Sequence, residues 1–175
     1  MNSLKWLVAL PIREVIGLGD HRLSMRSRQV DLFDADLGHL VADLIDTMRS
    51  SPGCVGLAAN QIGDDRSIFV IDVVNARRVK TYSGLIVAVN PIITSLEDLS
   101  ELREGCMSVP DFTGAVPRYQ SLTMKAFDIH GNQFEVATDG FEAQAIQHEC
   151  DHLSGLTFLD RLAAPSKMFS RKKYL

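Results

Sequence analysis

The string His148-Glu149-Cys150-Asp151-His152 spells H-E-x-x-H, a pattern that works only as a helix. Residues four apart on an α-helix lie one above the other on the same face. His148 and His152 can then close on one metal ion. The repeat of 3.6 residues turns Glu149 about 100° away from His148. It stands beside the ligands, free to act as a base toward water. Two neutral nitrogen donors with one adjacent carboxylate suit metal-assisted hydrolysis. The competing reading is a helix surface carrying two solvated His residues and a Glu.

The flanking residues predict a real helix. Asp139 is placed to cap its start, with Glu142 three residues on as in a capping box. Gly155 stands just past Leu153 as a C-terminal stop. Phe141, Ala145, His148 and His152 share one stripe, and Ile146 and Leu153 open a second. A helix apolar over so much of its circumference is expected to be buried. Buried His residues beside a Glu need partners, and a metal supplies one.

A third ligand is needed, and Cys106 in Glu104-Gly105-Cys106-Met107-Ser108 is the candidate. The apolar start, Leu4 to Leu10, is short, interrupted by Lys5 and followed by Pro11, and is not expected to be a signal peptide. No run reaches the roughly 18 apolar residues of a membrane span. Three Cys with no secretory signal predict a reducing compartment and no disulfide framework. Judged by itself, Cys106 reads more readily as a buried core thiol. Cys150, turned away from the His face, also reads as core.

A third segment runs from Gly53 to Gly63, with Cys54, Val55, Gly56, Ala58 and Ala59 leaving little bulk. Backbone can pass close to another group there. Gln61 is a side-chain amide able to donate to a developing oxyanion, or simply a solvated loop residue.

Together these segments resemble the peptide deformylase family. Its pattern is G-x-G-x-A-A-x-Q, then E-G-C-x-S, then Q-H-E-x-D-H. Here these stand as Cys54 to Gln61, Glu104 to Ser108 and Gln147 to His152, in order and at fitting spacing. Gly19 to Leu23 looks like the family's N-terminal turn, and Phe158 to Leu162 like the stretch after its metal helix.

The resemblance implies a metal-dependent hydrolase that removes the formyl group from the N-terminal formyl-methionine of newly made peptides. It implies Cys106, His148 and His152 as metal ligands and Glu149 as general base. Gln61 and the Met107 backbone N–H would meet the oxyanion. It implies Fe²⁺ as the metal, with Zn²⁺, Ni²⁺ or Co²⁺ able to substitute. Val55, Phe141 and Ala145 are the expected lining of the methionine slot, and Gly56 is expected to bind substrate beside them. Glu104 is expected to support the site, with Arg118 as its partner by charge. Formyl-methionyl nascent peptides are the implied partners, and the cytoplasm the implied location.

The chain departs from the pattern at three positions. Cys54 replaces the usual first Gly of the first motif, which could narrow the cleft or place an oxidisable thiol at its rim. Met107 replaces the commoner Leu, which should matter little because its role falls to the backbone. Thr113 stands where many members carry an Arg near the substrate backbone.

The remaining chain reads as one catalytic domain over residues 1–175, with 46% hydrophobic residues to build a core. Leu37, Leu40, Val41, Leu44, Ile45 and Met48 recur at helical spacing after Asp34, a plausible N-cap. Ile68 to Val74 and Leu85 to Val89 read as short buried strands. Leu122 to Asp128 and Gln133 to Thr138 flank a hairpin turn with His130 at its tip. Helix, then strands, then helix predicts α+β. The resemblance adds small mixed or antiparallel β-sheets packed around a central helix carrying H-E-x-x-H.

Net charge is −4 with no long basic stretch, which argues against DNA as a partner. The tail Arg171-Lys172-Lys173 reads as a solvated terminus, with transient ribosome contact as its functional alternative. A zinc peptidase of the H-E-x-x-H type would need a downstream ligand, and only Asp160 follows closely. A catalytically impaired homologue that only binds formylated peptides would normally lack the Glu or a ligand, and this chain has Gln61, Cys106, His148, Glu149 and His152.

Overall fold

Two long strands carry the architecture: β3 (Ile86–Cys106) and β4 (Val109–Phe127) form one antiparallel hairpin. The structure is a computed structural model that describes residues 12–76, 79 and 82–171. The apolar start, Leu4 to Leu10, lies outside the described residues. The sheet also holds β1 (Gly56–Ala58), β2 (Ile68–Ile71) and β5 (Gln133–Asp139), in the order β1-β2-β3-β4-β5. A short β6 (Met168–Ser170) pairs with β4. Every strand pairing is antiparallel.

The described strands form one six-stranded sheet instead of several small ones. The Leu85–Val89 run is only the start of β3, which continues to Cys106. Register shifts after Val89, after Ile93 and before Cys106 bend the ribbon. Such bulges increase local twist, so one hairpin can serve regions facing different ways.

Among the described residues two α-helices complete the fold, α1 (Ala35–Ser50) and α2 (Gly140–Leu153). Asp34 caps α1 by accepting from Leu37 N. Its stripe, Leu37, Leu40, Val41, Leu44 and Met48, is buried against Leu57, Ile68, Val70 and Val89. The alternate residues Phe69, Ile71, Ile86 and Ala88 join Ala143, Ala145, Ile146 and Leu153 of α2. Side chains alternate across a strand, so the two helices cover opposite faces of this part of the sheet. That is why Ile68 to Ile71 is apolar at every position.

At its start, α2 differs from the expected capping box. Asp139 is the N-cap residue, but its side chain makes no capping bond. The Glu142 carboxylate instead accepts from Ser83 N, Ser83 Oγ and Thr138 Oγ1. This ties the first turn to the segment before β3. At the other end, Gly155 has φ +77°. Leu156 N donates to Asp151 O, and Gly155 N to His152 O. This double closure satisfies the last carbonyls of α2.

The hairpin of β4 and β5 closes through Asp128 to Asn132, with His130 exposed at the tip. Asp128 Oδ1 accepts from His130 N and Asn132 N. Among the described residues, no helix is long and apolar enough to cross a membrane.

Candidate active site

The metal helix and the tip of the long hairpin meet at three side chains. Ligand atoms of Cys106, His148 and His152 all lie within 4.8 Å of one another. Cys106 ends β3 where a register shift meets the two-residue turn Met107-Ser108, since Cys106 pairs with Val109. The shift re-aims its side chain, as bulges do beside active sites. Cys106 Sγ lies 3.2 Å from His152 Nε2. The two imidazoles stand edge to face, with ring centres 4.8 Å apart. Both are supplied by α2, one turn apart.

Behind the imidazoles runs a buried ionic relay. His148 Nδ1 donates to Glu104 Oε2 at 2.9 Å, which leaves Nε2 free to bind a metal. Arg118 grips Glu104 with both forks, Nε to Oε1 at 2.7 Å and Nη2 to Oε2 at 3.0 Å. Its Nη1 donates to Asp151 Oδ2 at 2.6 Å, and Asp151 also accepts from Arg161. The pairing of Glu104 with Arg118 matches the expectation from charge. Burial raises the Glu104 carboxyl, but His148 and Arg118 outweigh it and hold the group at about 2.

Glu149 lies on the neighbouring face of α2, buried beside the ligands. Burial pushes its carboxyl up to about 7. A carboxyl poised there can both take and return a proton near neutrality. Gly56 of β1 makes room for it, since a Cβ there would stand 2.6 Å from Glu149 Oε1.

Gln61 is buried, not solvated. Its Oε1 accepts from Ala58 N, which aims Nε2 at Cys106 Sγ (3.6 Å) and Ser108 Oγ (3.2 Å). Asn60 beside it donates from Nδ2 to His152 O at 2.6 Å, a tie to α2 that its sequence context does not reveal.

A cavity of about 260 Å³ opens over this centre. It is lined by Val55, Gly56, Phe141 and Ala145, together with Gln61, Cys106, Met107, His148 and Glu149. His152 is fully buried beneath. All the residues expected in the site are thus gathered in one place.

Four further residues singled out in the sequence have their places set by the fold. Cys54 lines the cavity, and its thiol donates to Gly56 O at 3.1 Å. Burial, reinforced by Glu149, pushes it up to about 12, so it stays protonated and reacts slowly as a nucleophile. Cys150 packs against the apolar cluster under α2. Thr113 Oγ1 accepts from Arg103. Asp160, the carboxylate a peptidase arrangement would need, accepts from Thr157 instead.

The basic tail differs from a free terminus at its first residue. Arg171 follows β6 and lines the same cavity, while Lys172 and Lys173 lie outside the described residues. Arg103 joins it in the lining. Arg171 was not legible as a site residue, because the pairing of β6 with β4 that brings it there is long-range.

The donor set fits a metal ion. A thiol and two imidazoles converge, one imidazole already oriented by a carboxylate. Among the described residues, Glu149 Oε2 is buried beside these donors without a partner. Polar atoms buried in this way are costly, which fits a centre built to receive a charged group.

The chain is similar to known proteins over most of its length. The family model described as polypeptide deformylase matches residues 12–168. The chain is 36% identical to the peptide deformylase of Methylocella silvestris over 166 residues, covering 94% of this chain and 84% of that protein. It is 39% identical to that of Heliobacterium modesticaldum over 153 residues, covering 87% and 95%. The crystal structure of a peptide deformylase from Legionella pneumophila superposes with TM-score 0.81 at 41% identity, over 90% of this chain and 89% of that one. That of Ehrlichia chaffeensis in complex with actinonin superposes with TM-score 0.82 at 32% identity, over 89% and 91%. The chain belongs to the polypeptide deformylase family.

Proposed function

We propose that this chain removes the formyl group from the N-terminal formyl-methionine of newly made peptides, releasing formate and a free amine. One observation carries the reading: Cys106, His148 and His152 converge at the floor of a cavity that also presents Glu149 and Gln61. The whole chain acts as one catalytic domain, with the sheet arranged around α2 as its central helix.

Cys106, His148 and His152 would hold one divalent ion. Thiolate and imidazole donors suit iron and zinc alike, and Fe²⁺ is the metal we propose, with Zn²⁺, Ni²⁺ or Co²⁺ as substitutes. When bound, the ion acidifies water and polarises the formyl oxygen. Glu149 takes the proton from the attacking water as the new C–O bond forms. Gln61 Nε2 and the Met107 backbone N–H donate to the oxyanion. Glu149 then gives the proton to the leaving amine as the C–N bond breaks, so one carboxyl serves as base and then acid. Val55, Gly56, Phe141 and Ala145 wall an apolar slot for the methionine side chain. The substrate places the work in the cytoplasm, where formylated chains are made.

Formate release from a short formyl-Met peptide tests this directly. Protein purified without oxygen and supplied with Fe²⁺ is expected to release formate, and a chelator to stop it. No release from protein shown to hold one metal per chain would overturn the reading.

A further inference from the structure

Arg103 and Arg171 line the mouth of the cavity and take no part in the chemistry above. Arg103 Nε and Nη2 both donate to Thr113 Oγ1, at 3.0 and 2.8 Å. The same guanidinium lies 4.4 Å over the Phe169 ring. Phe169 reaches it because β6 pairs with β4, Thr113 against Phe169. One residue beyond β6, Arg171 N donates to Asp111 O at 2.7 Å, which anchors the backbone. The Arg171 side chain turns back over Gly105, where a Cβ would stand 2.6 Å from Nη2. A residue with no side chain therefore seats this guanidinium beside the metal-ligand strand.

Among the described residues the two cations stand outside the network of ion pairs. Among the described residues neither forms an ion pair with a carboxylate. Glu104 is committed to Arg118 and His148, and Asp151 to Arg118 and Arg161. Both guanidinium groups are exposed, in a chain whose net charge is −4. Arg103 is bonded to Thr113 and Arg171 lies over Gly105, the cross-strand partner of Thr113, so both cations share one stretch of rim, and an anion held there relieves their repulsion. A guanidinium fork matches a carboxylate in a bidentate way.

We propose that Arg103 and Arg171 form an anion subsite that binds a carboxylate of the substrate peptide downstream of its first residue. This rests on the deformylase reading for its position along the peptide. The carboxylate comes from an acidic side chain or from the chain terminus of a short peptide. The shared chemistry is one carboxylate clasped by two guanidinium groups, one from β3 and one following β6.

The test compares three peptides on the metal-loaded protein: formyl-Met-Asp-Glu amide, formyl-Met-Asn-Gln amide, and formyl-Met-Asn-Gln with a free terminus. Wild type is expected to favour a carboxylate-bearing peptide over the neutral amide by about five- to tenfold in kcat/KM, the scale of one or two partly exposed ion pairs. The gain should lie in KM and shrink as salt rises. The first peptide against the second reports an acidic side chain, and the third against the second reports the terminus. In R103M/R171M the preference should fall to near one. Calorimetric titration with the matching acetyl peptides reads binding without turnover and should show the same order. Arg-dependent binding of an acidic acetyl peptide without any formate release would sustain the subsite and remove the deformylase reading. Formate release from all three peptides with no preference, or with a preference that survives R103M/R171M, would overturn the subsite and leave the deformylase reading standing.

Discussion

At the scale of single residues, the site depends on atoms that nothing else can supply. Glu149 is the clearest case, since its carboxyl sits at about 7 because of burial and stands clear of the metal-ligand set. Glu149→Ala is expected to lower kcat by about 10²–10⁴ while metal content stays near one per chain. Near-normal turnover in that variant would remove Glu149 as the base. Gly56 acts on the same carboxyl by leaving it space. Gly56→Ala should displace Glu149 and cost about 10² in kcat with metal content retained, the scale of a misplacement of about 1 Å. Gln61→Ala is expected to lower kcat by about 10²–10³ if its amide meets the oxyanion. A change confined to KM would place Gln61 in substrate binding instead. These residue types were legible in the chain order because the helical repeat places His148, Glu149 and His152 without reference to any other segment.

At the scale of elements, the two helices are built differently. α1 is an ordinary amphipathic helix with a capped start and one apolar stripe, so local pattern predicts it. Asp34→Ala removes the bond to Leu37 N and should cost about 1 kcal/mol, read as a lower urea midpoint. Leu44 is fully buried, and Leu44→Ala should cost about 2–5 kcal/mol. Loss well under that range would mean the cluster refills the space. α2 buries polar residues with apolar ones, Glu142, Gln147, Glu149, Asp151 and His152 among them. Gln147 shows how this is satisfied: its Oε1 accepts from Tyr119 N and its Nε2 donates to Tyr119 O, docking α2 on β4. The length of β3 was not legible. Leu96, Leu99 and Leu102 recur every three residues, a spacing foreign to a strand, and Asp98 has φ +58°. Pairing with β4 overrides that local signal.

At the scale of the whole molecule, the ionic relay from His148 through Glu104, Arg118 and Asp151 to Arg161 joins α2, both long strands and the turn after α2. It predicts a specific acid sensitivity. The Glu104 carboxyl is lowered from an ordinary 4.5 to about 2 in the folded chain. Its stabilisation is therefore present above about pH 4.5 and is lost as pH falls toward 2. Metal-free Glu104→Gln should lack this part of the acid-unfolding curve, and an unchanged acid limb in that variant would show that other carboxylates carry it. The H-E-x-x-H helix with His148, Glu149 and His152, the apolar stripe of α1 and its cap, and the β4–β5 turn were determined by the sequence alone. Each depends on periodicity or on turn chemistry within a few residues, whereas Cys106 by itself reads as a core thiol. Only the tertiary structure decided that Cys106 meets His152, that Gln61 is buried against Ser108, that Asn60 holds the end of α2, and that Arg171 reaches the cleft. Those contacts join residues 46, 47, 92 and 66 positions apart for Cys106–His152, Gln61–Ser108, Asn60–His152 and Arg171–Gly105. No local pattern encodes them, because strand pairing and helix docking bring the partners together only once the core has formed.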